Sequence, residues 1–179
     1  MKFALLAAIA VSLTIANLGA AEPESFKVGA FSFVVPEGWT KVQPSSPMRN
    51  AQLEVARGQE KAEVTFFHFG AGASGSPADN VARWFNQFPG SESKRESKNA
   101  EVSGVKITYA TTEGTFSSGM PGGPTTPLPN QALHGAILQH ADGDVYVKMT
   151  GPEAIVKGAA EAFQKIISGA AEAFAPAQR

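Results

Sequence analysis

Residues 132–150 read Ala-Leu-His-Gly-Ala-Ile-Leu-Gln-His-Ala-Asp-Gly-Asp-Val-Tyr-Val-Lys-Met-Thr. Two strand-like runs, Ala132 to Gln139 and Val145 to Thr150, flank Asp142-Gly143-Asp144. An Asp-Gly pair between apolar runs signals a hairpin, because glycine takes the backbone angles that a tight turn demands. Strands joined so closely run antiparallel, and that decides the expected sheet type.

Outward from this hairpin the pattern continues. Gly151-Pro152 opens a final helix whose apolar stripe is Ile155, Ala159, Phe163, Ile166 and Ala170, widened by Val156 and Ile167. Upstream, Val102 to Phe116 has strand character, with Val105, Ile107 and Tyr109 on one face. Between them, residues 117–130 are rich in glycine and proline and read as a long loop without regular structure. Ala62 to Phe69 reads as an interior strand covered on both sides, since Phe66 falls on one face and Phe67 and Phe69 on the other. Met48 to Val55 reads as a further strand, with Ala51, Leu53 and Val55 in phase.

After the glycine-rich stretch Gly70 to Gly75, Ser76 is a natural N-cap, Pro77 suits the first helical turn, and Asp79 sits at the positive helix end. Val81, Trp84, Phe85 and Phe88 follow at helical spacing until Pro89-Gly90, and with Trp39 they are expected in the core. Ser91 to Asn99 reads as polar and solvated. Phe26 to Val35 makes two short strands with Phe31, Phe33 and Val35 on one face, ended by Pro36-Glu37-Gly38 before Trp39. The expected architecture is α+β: a twisted antiparallel sheet with helices packed on its faces.

The first 21 residues have the three parts of an export signal. Lys2 is followed by an apolar run from Phe3 to Leu18 and by the small residues Gly19-Ala20-Ala21. Cleavage is expected after Ala21, with Ala20 as second choice, leaving one domain over residues 22–179 in the periplasm or outside the cell. The run is shorter than the roughly 20 apolar residues of a spanning helix, so no membrane insertion is expected after cleavage. The chain has no cysteine, which excludes disulfides and a thiol-linked lipid anchor. With 15 basic and 16 acidic residues, one of the basic ones in the leader, the chain gives no electrostatic footprint for nucleic acid or anionic lipid.

The stretch Phe31-Ser32-Phe33-Val34-Val35-Pro36-Glu37-Gly38-Trp39 resembles the PsbP-like superfamily, named for an extrinsic subunit of photosystem II. There an early strand commonly ends in a Pro-x-Gly-Trp turn, and the chain finishes with a helix packed on a twisted antiparallel sheet. The likeness extends over most of residues 26–168. Met48 to Phe88, with Thr65-Phe66-Phe67-His68-Phe69-Gly70 and Asn80-Val81-Ala82-Arg83-Trp84, also looks like a set of secreted bacterial proteins. The resemblance implies a PsbP-like α/β/α sandwich and a binding or accessory role. It carries over no site residue.

Gly70-Ala71-Gly72-Ala73-Ser74-Gly75 has the letters of a dinucleotide-binding G-x-G-x-x-G. Its third glycine precedes the helix cap, however, and no strand ending in an acid follows about 20 residues on. No cofactor is expected. His68, His134 and His140, with Asp142 or Asp144, are the weak candidates for a metal site. His68 and His134 could share a sheet face, but no pair has helical spacing. Asp142-Gly143-Asp144 offers too few oxygen ligands for calcium. No G-x-S-x-G elbow and no cysteine nucleophile is present. The 117–130 loop exceeds a hairpin's need, and its prolines limit the entropy lost on binding. Met120, Pro121, Pro124 and Leu128 are its candidate partner contacts. The sequence therefore reads as an exported, non-catalytic binding or accessory domain that engages an envelope protein through this loop. The alternatives are a small hydrolase or metal-dependent enzyme using His68 and His134, or a carrier with an apolar pocket between helix and sheet.

Overall fold

The computed structural model describes residues 23–118 and 126–174. Its frame is a seven-stranded sheet in the order β3-β4-β5-β9-β8-β7-β6, antiparallel at every pairing. The strands are β3 (Trp39–Val42), β4 (Ala51–Arg57), β5 (Glu60–His68), β6 (Glu96–Val102), β7 (Val105–Ser118), β8 (Thr126–Leu138) and β9 (Val145–Pro152). Two earlier strands, β1 (Ser25–Val28) and β2 (Phe31–Val34), form a separate hairpin. The helices are α1 (Pro77–Phe85), α2 (Glu153–Gly158) and α3 (Ala160–Phe174).

The hairpin at 142–144 forms as its sequence dictates. Leu138 pairs with Val145, Gly143 N–H donates to the His140 carbonyl, and the Asp144 carboxylate accepts from the His140 N–H. The Pro36–Gly38 turn also forms. Gly38 adopts φ +77°, Trp39 N–H donates to the Pro36 carbonyl, and half-buried Trp39 packs on the core as the first residue of edge strand β3. β5 is interior, flanked by β4 and β9, but it is not covered on both sides as expected: Phe66 is buried, whereas Phe67 is half-buried and Phe69 exposed, because α1 covers only part of that face.

One face of the sheet is roofed by the β1–β2 hairpin, α2 and α3. Strand alternation sends Leu53, Val64, Phe66, Val147, Met149 and Ala136 into this layer, where Phe163, Ile166, Ile167 and Ala170 of α3 meet them. Phe26 and Phe33 each lie 5.0 Å from Phe66, ring centre to ring centre. The final helical segment is broken at Ala159, so α2 and α3 divide the single apolar stripe read from the sequence.

The other face carries α1 alone. Ser76 caps it reciprocally: its hydroxyl accepts from Asp79 N–H at 3.1 Å, and the Asp79 carboxylate accepts from Ser76 N–H at 3.2 Å. The Ser76 hydroxyl also donates to the Asp79 carboxylate at 2.6 Å, and this bond, followed by that from Ser76 N–H, holds the Asp79 carboxyl below its ordinary pKa. Val81, Ala110, Ile137 and Tyr146 form a small second core, flanked by half-buried Phe67, Trp84 and Phe85. Gly135 lets α1 approach, since a Cβ there would stand 2.3 Å from Trp84 Cζ3.

Two expectations are corrected. Ser91–Asn99 is not simply solvated coil: Glu92–Lys94 make a 3-10 turn and Glu96–Val102 form edge strand β6, every residue paired to β7. Residues 117–130 are not wholly irregular either. β7 continues to Ser118 and β8 begins at Thr126, with Phe116 opposite Leu128 and Ser117 opposite Pro127. Proline is tolerated because, among the described residues, this stretch of β8 pairs with β7 alone and borders no strand on its other side.

Candidate functional site

The three histidines are not gathered. His134 pairs with Met149, and Met149 with Val64, whereas His68 pairs with Val145 and, across β9, lies level with Leu138. His68 and His134 do share a sheet face, but they sit four residues apart in register and two strands apart, about 16 Å by strand geometry. His68 packs beneath the β1–β2 turn, where a Cβ on Gly29 would come 2.8 Å from its ring. His134 stacks edge-on to Phe163 at 6.2 Å, and burial, aided by the Lys157 charge, pushes its imidazole below the ordinary value. His140 lies against Phe31 and Phe174. Among the described residues, no group of three or more histidines and acids could hold a metal ion. Glu113, which lines a shallow cleft with His134, bonds both Lys94 and Lys157, and these pairs tie the 3-10 turn, β7 and α2 together.

Met120, Pro121 and Pro124 lie outside the described residues, as does the leader at 1–21. Leu128 is visible, 42% exposed, on the outer part of β8. Beyond the Gln131–Pro152 pair, β8 is bonded only to β7, so residues 114–118 and 126–130 make a two-stranded arm past the edge of the main sheet. Its β7 strand is anchored: Ser117 N–H donates to the Gln87 carbonyl at 2.8 Å, and the Phe116 ring is 5.3 Å from Phe88. Residues 126–130 are exposed throughout.

Because α1 is short and alone, it leaves clefts on both flanks. Toward β6 and β7 an open depression of about 940 Å³ runs along Val81, Ala82, Phe85 and Ile107, with Glu101 and Lys106 of opposite sign at its rim. Toward β5 and β9 a second cleft of about 450 Å³ is walled by Phe67, Phe69, Trp84 and Tyr146. Phe67 and Phe69 stack at 6.1 Å, and Phe69 approaches Tyr146 at 6.3 Å. The glycine-rich segment contributes Ala73 and Ser74, whose hydroxyl is 2.6 Å from the Tyr146 hydroxyl. Gly70–Gly75 thus forms a cleft wall at the α1 start.

Two cations line this second cleft. Lys148 Nζ donates to Gln87 Oε1 at 3.2 Å, and Arg83 Nη2 donates to the Ser74 carbonyl at 2.8 Å and to Asn80 Oδ1 at 2.5 Å. Burial, with the nearby Arg49 charge adding, pushes the Lys148 ammonium down to about 8, while Glu63 opposes the shift. Glu63 itself is paired to Arg49 at 3.3 Å. Sequence reasoning did not pick out this group, although a lysine inside Val145-Tyr146-Val147-Lys148-Met149 is a visible break in a buried run.

The whole arrangement is similar to the solution structure of cyanobacterial PsbP (CyanoP) from Synechocystis sp. PCC 6803. The two share 12% identity over 87% of this chain and 95% of that one, with a TM-score of 0.53. The chain therefore has a PsbP-like fold, as the Pro36–Trp39 turn and final helix imply. A Pseudomonas aeruginosa protein of unknown function aligns at 13% identity over 82% of this chain and 94% of that one, with a TM-score of 0.43. No protein-family model matches the chain, and no curated protein sequence does.

Proposed function

We propose that the protein is an exported, non-catalytic accessory domain that binds an envelope protein through the arm formed by β7 and β8. The observation that carries this reading is the arm itself. It is a two-stranded ribbon whose β7 strand is held to the α1 end by Phe116 and Ser117, and exposed apolar Leu128 stands opposite Phe116 on its β8 strand. Pro127 and Pro129 offer no N–H to a further strand, so the contact is made by side chains and not by strand addition. The PsbP-like fold supports a binding role in kind, since it supplies a rigid sheet from which such an arm can project. Among the described residues, no helix is long and apolar enough to cross a membrane.

Export is tested by intact-mass measurement of the protein recovered from the envelope fraction. A mature chain beginning at Glu22 is expected, and retention of residues 1–21 overturns it. The arm is tested by placing a photo-crosslinking residue at Leu128 and, separately, at exposed Asp142 in the β8–β9 turn, at the opposite end of the sheet. One discrete adduct from position 128 and none from position 142 is expected. Equal adducts from both, or none from either, remove the arm as the contact.

A further inference from the structure

We propose that the 450 Å³ cleft between α1, β5 and β9 binds a small, flat, apolar molecule bearing a carboxylate, with its rings among Phe67, Phe69, Trp84 and Tyr146 and its carboxylate on Lys148 and Arg83. This site is independent of the arm. Three observations carry it.

The first is shape and size. The cleft lies within the range of small-molecule sites, and four aromatic side chains from β5, α1, β9 and the segment after β5 line it. The described chain has four exposed large apolar side chains, Val34, Met48, Phe69 and Leu128, and two of them, Met48 and Phe69, rim this cleft. Apolar surface left in water at a concave site marks a place where something is received.

The second is charge. The lining holds Arg83 and Lys148 and no carboxylate. Glu63 lies outside the lining and is paired to Arg49, and Asp144 lies beyond Tyr146. Among the described residues neither Arg83 nor Lys148 forms an ion pair, nor do Lys27, Arg57, Lys98 and Lys106, but Arg83 and Lys148 share one lining. Asp79 acts on Arg83 and Glu63 on Lys148 from outside the lining, so the cleft presents two cations beside aromatic walls with no carboxylate in the walls themselves.

The third is hydrogen-bond capacity. The Lys148 ammonium has three donors, and Gln87 Oε1 occupies one. A partly buried amine that is short of acceptors, and whose charged form burial disfavours, gains from a carboxylate, which stabilises the ammonium and adds a charge-assisted bond. The ligand's anionic end is therefore placed at the inner end of the cleft and its apolar body toward Met48 and Phe69.

The test is a calorimetric titration of the mature protein with 2-naphthoate and, separately, with the neutral 2-naphthamide of the same shape. Saturable binding of naphthoate, about tenfold or more tighter than the amide, is expected. Lys148→Met is expected to abolish the preference for the anion while leaving amide binding in place. Arg83→Gln, at an exposed position, is expected to reduce the preference and serves if the first variant does not fold. Binding of neither probe at millimolar concentration, equal affinity for both, or a preference that survives whichever variants fold overturns the proposal.

Discussion

The two faces of the main sheet are built from the same strands by the same alternation, yet they end in different states. On one face α2, α3 and the β1–β2 hairpin close over Leu53, Phe66, Met149 and Ala136, and Phe163 is 1% exposed. On the other face the nine residues of α1 cover Ala110, Ile137 and Gly135 and leave Phe67, Trp84 and Phe85 half in water. The first face stabilises the fold because its apolar area is removed from solvent. The second face keeps clefts because one short helix cannot span seven strands. How much cover the sheet receives, more than its composition, separates a core from a binding surface.

Mutations probe that difference in order of size. Phe163→Ala, on the covered face, should cost about 3 to 5 kcal/mol in denaturant unfolding, because it leaves a void between α3 and the sheet that neighbours cannot fill. A loss near 1 kcal/mol would mean that the covered face is as loosely packed as its opposite. Gly135→Val tests the close approach of α1 to β8 on the open face. The added side chain must displace the Trp84 ring, and a loss of about 2 kcal/mol is expected, with a shifted near-ultraviolet signal from that indole. No loss would show that α1 is not seated on β8.

Lys148→Met should act in the opposite direction. The folded-state amine titrates near 8 against 10.5 for the free group, so the folded chain is the one that disfavours the proton. Between those values the unfolded chain binds more protons, and the contribution of this group to stability rises with pH across the window. It is lowest, by the full penalty, below about pH 8. Replacing the lysine should therefore raise stability at pH 7 by on the order of 1 to 2 kcal/mol, allowing for the solvent that still reaches it. The difference between variant and wild type should shrink toward pH 10.5, as read from midpoints over a pH series. A difference independent of pH would mean that Lys148 is not desolvated. Leu128→Ser, out on the arm, should change stability by less than about 0.5 kcal/mol in the same assay, since its side chain is already in water. A larger loss would make the arm part of the core.

Local signals foretold the parts of the fold that local chemistry builds. The Asp142–Asp144 turn, the Ser76–Asp79 cap with Pro77, and the Pro36–Gly38 turn before Trp39 each formed where the residues placed them. β6 escaped because Glu96–Val102 has no apolar face: six of its seven residues are polar or only slightly apolar, and pairing with β7 alone makes it a strand. The outer ends of β7 and β8 escaped because proline and glycine read as breakers, although an edge tolerates them. The histidines could be assigned to one face but not to a register, and register is what parts His68 from His134.

By itself, then, the sequence determined the antiparallel hairpin, the capped helix and the apolar stripe of the final helix. Each of these rests on interactions within a few residues, where hydrogen bonding and side-chain periodicity act. Only the tertiary structure decided that Met48, Phe67, Arg83, Trp84, Tyr146 and Lys148 would line one cleft. They come from separate elements, and strand order and helix position bring them together. The same long-range packing decides which aromatic groups are covered and which cation is left short of a partner.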